Sequence, residues 1–241
     1  MNLATVQQIL IAVPPSITAQ EAIAEALADA DSLIESLEQL LAKKRQIRQG
    51  TVQELLSGTT RLPGHAEEWE VKRLAHVCHM KSGESITGEH IDDHSEFPCY
   101  GGNGLRGHAA EYTHLGEYIL IGRQGALCGN VVRVSGKFFA SEHAIVVTCT
   151  ELCDPDFLAP ILERMNLNRL SESSAQPGLS VQKLLPLEIH VSQSLDEQRA
   201  ISAILSDMDT EIVALEDRLA KARAIKQGMM QVLLTGEIRL I

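Results

Sequence analysis

The chain has 241 residues, 44% of them apolar, and a formal net charge of −11, enough for one or two domains with their own cores. Residues 64–190 hold ten Lys/Arg against seventeen Asp/Glu; this excludes a basic patch by composition and counts against a stand-alone DNA binder that relies on phosphate neutralisation. Five cysteines, odd in number and unclustered, argue against a disulfide framework, and the start Met1-Asn2-Leu3 carries neither a basic leader nor a bilayer-spanning run, so a cytoplasmic protein without membrane contact is expected.

The first residues read as the end of a globular domain. Val6-Gln7-Gln8 resembles Val181-Gln182-Lys183, and Val13, Ser16 and Gln20 fall opposite Val191, Ser194 and Gln198. A long helix follows. Ile23, Leu27, Ala30, Ile34, Leu37 and Leu41 alternate steps of four and three, the 3.5-residue seam of helices that pack knobs-into-holes. Thr18 is a candidate cap, Lys43, Lys44, Arg45 and Arg48 lie toward the C-terminal end as the helix dipole favours, and Gly58 marks the stop. Gly50 interrupts late and is a candidate bend.

Residues 63–192 have another texture. Short β-branched runs, 117–121, 130–134 and 144–147, alternate with glycine turns such as Ser135-Gly136. Asp156 to Asn166 reads as a helix starting after Asp154-Pro155. The expected fold class is α+β, a strand-rich, mostly antiparallel domain bracketed by two long helices that form an antiparallel coiled coil.

The second helix repeats the first. Residues 21–62 align with 199–240 without a gap, and 21 of the 42 pairs are identical. Ile201, Leu205, Ile212, Leu215 and Leu219 reproduce Ile23, Leu27, Ile34, Leu37 and Leu41, and these ten are the expected pairing residues. At about 1.5 Å per residue each helix of about 38–40 residues spans about 57–60 Å, and such a stripe requires a partner. The domains expected are therefore 1–62, domain remnant and first helix; 63–192, globular domain; and 193–241, second helix. Pairing within one chain and pairing between two chains both satisfy the pattern.

The chemical motifs point away from catalysis. Gly102-Asn103-Gly104-Leu105-Arg106-Gly107 matches the dinucleotide pattern but lacks a surrounding βαβ unit, so it reads as a tight glycine loop. Cys149 and Cys153 with Cys78, His76 and His79 fit no standard zinc spacing, and free structural thiols are expected. Ser141-Glu142-His143 has no nucleophile elbow around it, and on a strand Glu142 would alternate away from His143. Neither a phosphate-binding loop nor an Asn-Pro-Pro-Tyr/Phe tetrapeptide occurs. The domain thus reads as non-catalytic, with no metal and no cofactor. Its loops are rich in groups able to read base edges: Lys81, Asn103, Arg106, Arg123, Gln124, Asn130, Ser141, His143 and Gln176. Arginine pairs with guanine, and Asn or Gln with adenine, through bidentate bonds.

The chain resembles the DNA-specificity (S) subunits of type I restriction–modification systems. In the helices the resemblance rests on 195–201 (LDEQRAI) and 226–236 (KQGMMQVLLTG); in the domain it rests on 69–74 (WEVKRL), 100–107 (YGGNGLRG), 119–126 (ILIGRQGA) and 176–180 (QPGLS). It implies that 63–192 is one target-recognition domain reading a DNA half-site, and that the helices are conserved spacers that hold such domains apart. The implied partners are double-stranded DNA and the methyltransferase (M) subunits; a restriction (R) subunit and a second copy of the chain are left open as further partners. Methylation and cleavage would then lie on partner subunits. A full family member has two recognition domains, where this chain has one. Two other readings stand beside it: a small-molecule enzyme using the glycine loops with His143 or Cys128 as catalyst, and a scaffold that no longer reads DNA.

Overall fold

The structure is a computed structural model; it describes residues 13–14, 16–125, 127–171 and 178–238. The long helix α1 spans Ile17–Leu55 and is followed by β1 (Trp69–Arg73), the short α2 (Leu74–Val77) and β2 (Cys78–Ser82). Then come β3 (Phe97–Gly101), β4 (Gly104–Ala109), β5 (His114–Gly122), β6 (Val131–Ala140) and β7 (Ala144–Cys149). The chain ends with α3 (Pro155–Arg164), α4 (Val181–Leu184), β8 (Glu188–Ser192) and the long α5 (Leu195–Leu234). Two compact units divide at Gly50/Thr51 and Leu205/Ser206: one is 1–50 with 206–241, the other 51–205. The globular unit thus claims the last turn of α1 and the first turns of α5, residues that the sequence pattern assigns to the helices.

In the helical unit α1 and α5 pair antiparallel within the chain. Leu37, Leu41, Ile212 and Leu219 form a buried cluster with Ile34, Leu215 and Ala222 packed on it. Ion pairs link the two helices: Asp31 with Lys226, Glu38 with Arg223 at 2.6 Å, Arg45 with Glu216 at 2.5 Å, Lys44 with Glu211 at 2.7 Å and Arg48 with Asp209. From Asp31 to Arg48 the partner's number falls from 226 to 209, which is the antiparallel register. Of the remaining pairing residues Ile23 is buried in this unit and Leu27 half-buried, while Ile201 and Leu205 are buried in the globular unit.

The repeat holds in the helix caps, bond for bond. Gln20 Nε2 donates to the Pro14 carbonyl at 2.9 Å, and Gln198 Nε2 donates to the Ser192 carbonyl at 2.9 Å. The hydroxyls of Ser16 and Ser194 accept from the backbone N–H three residues on; Ser16, not Thr18, therefore caps α1, because its side chain sits one residue before the first helical position. At the other ends Gly58 and Gly236 have φ of 71° and 76° and close onto Leu55 and Leu233, the left-handed stop that glycine supplies without strain. Both helices run unbroken through Gly50 and Gly228. Val6 to Gln8 lie outside the described residues. Among the described residues no helix is long and apolar enough to cross a membrane.

The globular unit is built on a six-stranded sheet of order β2-β7-β5-β6-β3-β4 and a two-stranded pair of β1 with β8. All pairings are antiparallel except β3 with β6. Leu120, Val134, Phe138, Ala140 and Val146 form one sheet-face core, and Tyr100, Tyr118 and Val132 pack on it. Each large side chain buried there contributes about 1.5–3 kcal/mol. Helix α3 lies against β5 and β6. Its cap, Asp154, accepts from the backbone N–H of Asp156 and Phe157, and Pro155 pre-sets the first turn.

Ser135-Gly136, expected as a turn, instead lies inside the ten-residue β6, where Gly136 pairs with Gly116 and both have positive φ. Two facing glycines let the ladder bend without ending it.

A buried polar knot closes the globular unit at the start of α5. Glu197 is fully buried and accepts from Arg61 Nε at 2.7 Å, Trp69 Nε1 at 3.0 Å and Ser192 Oγ at 2.5 Å. Burial by itself raises the Glu197 carboxyl's pKa; the donors from Arg61, Ser192 and Trp69 outweigh it and hold the group below its usual range. The neighbouring Gln198 accepts from the Asp154 N–H and donates to the Leu152 carbonyl, so the first turn of α5 is pinned to the loop that precedes α3.

Candidate functional site

Four segments of the globular unit meet at one end of the sheet. The β3–β4 hairpin turns through Gly102-Asn103, a two-residue loop that Gly104 completes at φ 83°. The β5–β6 loop closes on itself through Gly122 N–H to the Asn130 carbonyl and Gly129 N–H to the Gly122 carbonyl. The β6–β7 connection, 141–143, is a three-residue turn in which Ala144 N–H donates to the Ser141 carbonyl. Residues 178 and 179 complete the set: Gln124 bridges to Gly178, and Leu179 N–H donates to the Arg123 carbonyl.

Glycine makes the convergence sterically available. A Cβ on Gly102 would stand 2.8 Å from the Gln124 carbonyl oxygen and 3.1 Å from that of His143. The glycine-rich run therefore serves close backbone approach between loops, not a nucleotide pyrophosphate.

The result is an open cleft of about 450 Å³ lined by Gly102, Asn103, Arg106, Gln124, Gly125, His143 and Gly178. It gathers four of the expected readers: Asn103, Arg106, Gln124 and His143. Asn103, Arg106 and Gln124 are exposed and His143 is half-buried. Gln124 Oε1 lies 2.9 Å from His143 Nδ1, and His143 Nε2 lies 3.4 Å from the Glu142 carboxylate. The Arg123 N–H donates to the His143 carbonyl at 2.8 Å, which sets the two side chains next to each other.

The other expected readers fall elsewhere. Arg123 turns back and donates to Ser82 Oγ at 3.1 Å. Lys81 is exposed on β2, and Asn130 is exposed at the base of the β5–β6 loop. Ser141 is fully buried, its hydroxyl without a hydrogen-bond partner, so it presents nothing to a ligand outside. Gln176 lies outside the described residues.

Glu142 is a side chain beside the cleft that the sequence reading sets aside. On a strand it would face away from His143; on the observed turn the two side chains meet. Three residues between the runs 137–140 and 144–147 is hairpin-loop spacing, and that signal is present in the sequence. Of the two candidate catalysts in the small-molecule reading, Cys128 is buried, its thiol donates to the Arg123 carbonyl at 3.4 Å, and burial raises its pKa. A thiol so held is a poor nucleophile.

The comparisons agree with this architecture. A family model described as type I restriction modification DNA specificity domain matches residues 66–222. The EcoprrI specificity subunit of a type I restriction enzyme from Escherichia coli is 45% identical over 147 residues, which is 59% of this chain and 36% of that protein. Among solved structures, the S subunit of a type I restriction–modification system from M. genitalium matches with a TM-score of 0.74 at 20% identity, over 97% of this chain and 65% of that one. The HsdS subunit from Thermoanaerobacter tengcongensis matches with a TM-score of 0.54 at 17% identity, over 93% and 60%. These two likenesses concern the fold. The chain spans between about a third and a half of the length of the curated relatives it matches.

Proposed function

Because this chain belongs to the type I restriction modification DNA specificity family, we propose that it is a DNA sequence-specificity subunit whose globular unit reads a half-site. The observation that carries the reading is the cleft, where Asn103, Gln124 and His143 converge from three loops with Arg106 from β4. Their groups are those that pair with base edges in a major groove: the arginine fork with guanine, and side-chain amides with donor and acceptor atoms. Lys81 and Asn130, exposed outside this set, are contacts to the flanking backbone. The subunit itself is non-catalytic; methyl transfer and cleavage lie on partner subunits.

The helical unit is the spacer and the dock for the methyltransferase subunits. Leu33, Leu40 and Ile47 recur every seven residues on α1, outside the pairing seam, and remain exposed; apolar surface of that kind favours burial by a partner. A net charge of −11 opposes tight DNA binding by the chain alone, so the methyltransferase subunits supply most phosphate contacts. The restriction subunit joins the same assembly, and a second copy of the chain supplies the second half-site reader. Solution mass with and without the methyltransferase subunit tests that stoichiometry.

The test of the function is affinity for duplex DNA, measured for the chain alone and for its complex with the methyltransferase subunit. Weak, sequence-indifferent binding by the chain and sequence-specific binding by the complex are expected. Tight sequence-specific binding by the isolated chain contradicts the division of labour, and sequence-indifferent binding by the complex contradicts the function.

A further inference from the structure

Arg106 lines the cleft, and among the described residues no hydrogen bond or ion pair holds its guanidinium. Packing of the stem is what sets its direction, and two features of the β3–β4 hairpin supply that packing. The first is a bulge. Cys99 pairs with Gly107 and Tyr100 with Leu105, so Arg106 has no partner on β3 and is the extra residue of β4. A bulge breaks the alternation of its strand and re-aims the side chain it carries. The second is Gly101. A Cβ built there would stand 2.5 Å from Arg106 Cδ and 3.2 Å from its Cγ. The arginine stem therefore occupies the space that a side chain at residue 101 would take. Backbone conformation does not ask for glycine at this place: Gly101 lies on β3 and is not among the glycines with positive φ.

We propose that Gly101 and the bulge form one positioning device: the bare Gly101 backbone seats the Arg106 stem and so aims the guanidinium fork into the cleft, where it reads one guanine. This rests on the reading of the cleft as a base-contacting surface; Gly101 acts only through Arg106. Two parallel bonds to guanine O6 and N7 demand direction as well as charge, because the fork is planar and must meet the base edge squarely. A methyl group at residue 101 leaves the charge in place and displaces the stem. That methyl would also stand 3.3 Å from the Oγ of Ser141, which is fully buried. The exposed arginine is the neighbour that gives way, so the substitution re-aims Arg106 without opening the core.

The experiment selects bound sequences from a pool of randomised duplex DNA, using the full chain in complex with its methyltransferase subunit. It compares the native chain with Arg106→Ala, Gly101→Ala and the double substitution, and follows the thermal unfolding of each. Arg106→Ala is expected to erase a guanine preference on the order of thirtyfold at one base position. Gly101→Ala is expected to lower the preference at that same position about tenfold, with every other position and the unfolding midpoint unchanged. The double substitution is expected to select as Arg106→Ala does, because residue 101 acts through residue 106 and the two effects do not add. If Gly101→Ala leaves that position unchanged, lowers affinity uniformly or shifts other positions, the positioning role is overturned while the cleft reading stands. If Arg106→Ala alters no position, the cleft reading fails at Arg106 and the inference fails with it. If Gly101→Ala lowers the unfolding midpoint, removing Arg106 as well is expected to restore it; a midpoint that stays low places the collision elsewhere and overturns the proposal.

Discussion

The two units of this chain solve opposite problems. In the helical unit the charges are closed on one another: Asp31, Glu38, Lys44, Arg45 and Arg48 on α1 each meet an opposite charge on α5, and the buried cluster between the helices is apolar. In the globular unit the polar groups of the cleft line an open surface, on β4 and on loops that Gly102 lets approach backbone to backbone. On the proposed function, the contrast separates a surface built for fixed length from one built for recognition. The first is repeated almost bond for bond at an offset of 178 residues; the second occurs once in the chain.

The largest expected effect lies in the seam. Leu41→Ala removes a side chain that is 6% exposed and should cost about 4 kcal/mol, read as a lower urea midpoint by circular dichroism, with the base preference of the assembled complex unchanged. A change in base preference would break the separation between the two units.

Next comes the knot at the start of α5. Glu197→Ala leaves the Arg61 guanidinium without its carboxylate and should cost about 3 kcal/mol. The native knot also titrates. Because the folded state holds the Glu197 pKa below its usual value, its stabilisation is fully present above the unfolded glutamate's pKa and is lost as pH falls through the folded one. Glu197→Gln should flatten that acid limb, checked by urea unfolding at a series of pH values below about 5. An unchanged acid limb would mean that other carboxylates govern it.

Cleft substitutions should invert this pattern. Arg106→Ala removes an exposed side chain and should leave unfolding unaltered while lowering discrimination at one base position by about 2 kcal/mol, measured by competition between matched and mismatched duplexes. The smallest effect belongs to the solvent-exposed ion pairs. Arg45→Ala should cost under about 1 kcal/mol, and high salt should mask even that.

Sequence legibility divides along the same line. The helices could be read because their pairing is written as a local period: Ile34, Leu37 and Leu41 sit three and four residues apart, and Ile212, Leu215 and Leu219 say the same thing again. The strands were legible for a similar reason, since β-branched runs at 117–121 and 144–147 mark buried sheet. The cleft was legible only as a list of residue types. Asn103, Arg106, Gln124 and His143 are brought together by approaches of the Gly102 backbone to residues 124 and 143, a long-range fact with no local signature. Ser141 and Arg123 carry the right chemistry but are not presented at the cleft, one buried at the start of the β6–β7 turn and the other bonded to Ser82. Glu142 was misplaced because its neighbours were read with a strand's alternation, where the chain makes a turn.

The most direct test of the central claim is the base preference of the complete complex when two cleft side chains are removed together. Arg106→Ala/Gln124→Ala, selected against randomised duplex DNA in the presence of the methyltransferase subunit, should retain assembly and lose preference at the positions those side chains contact. The same sequence preference from the native and the doubly substituted chain would contradict the account and leave the cleft with no part in reading DNA.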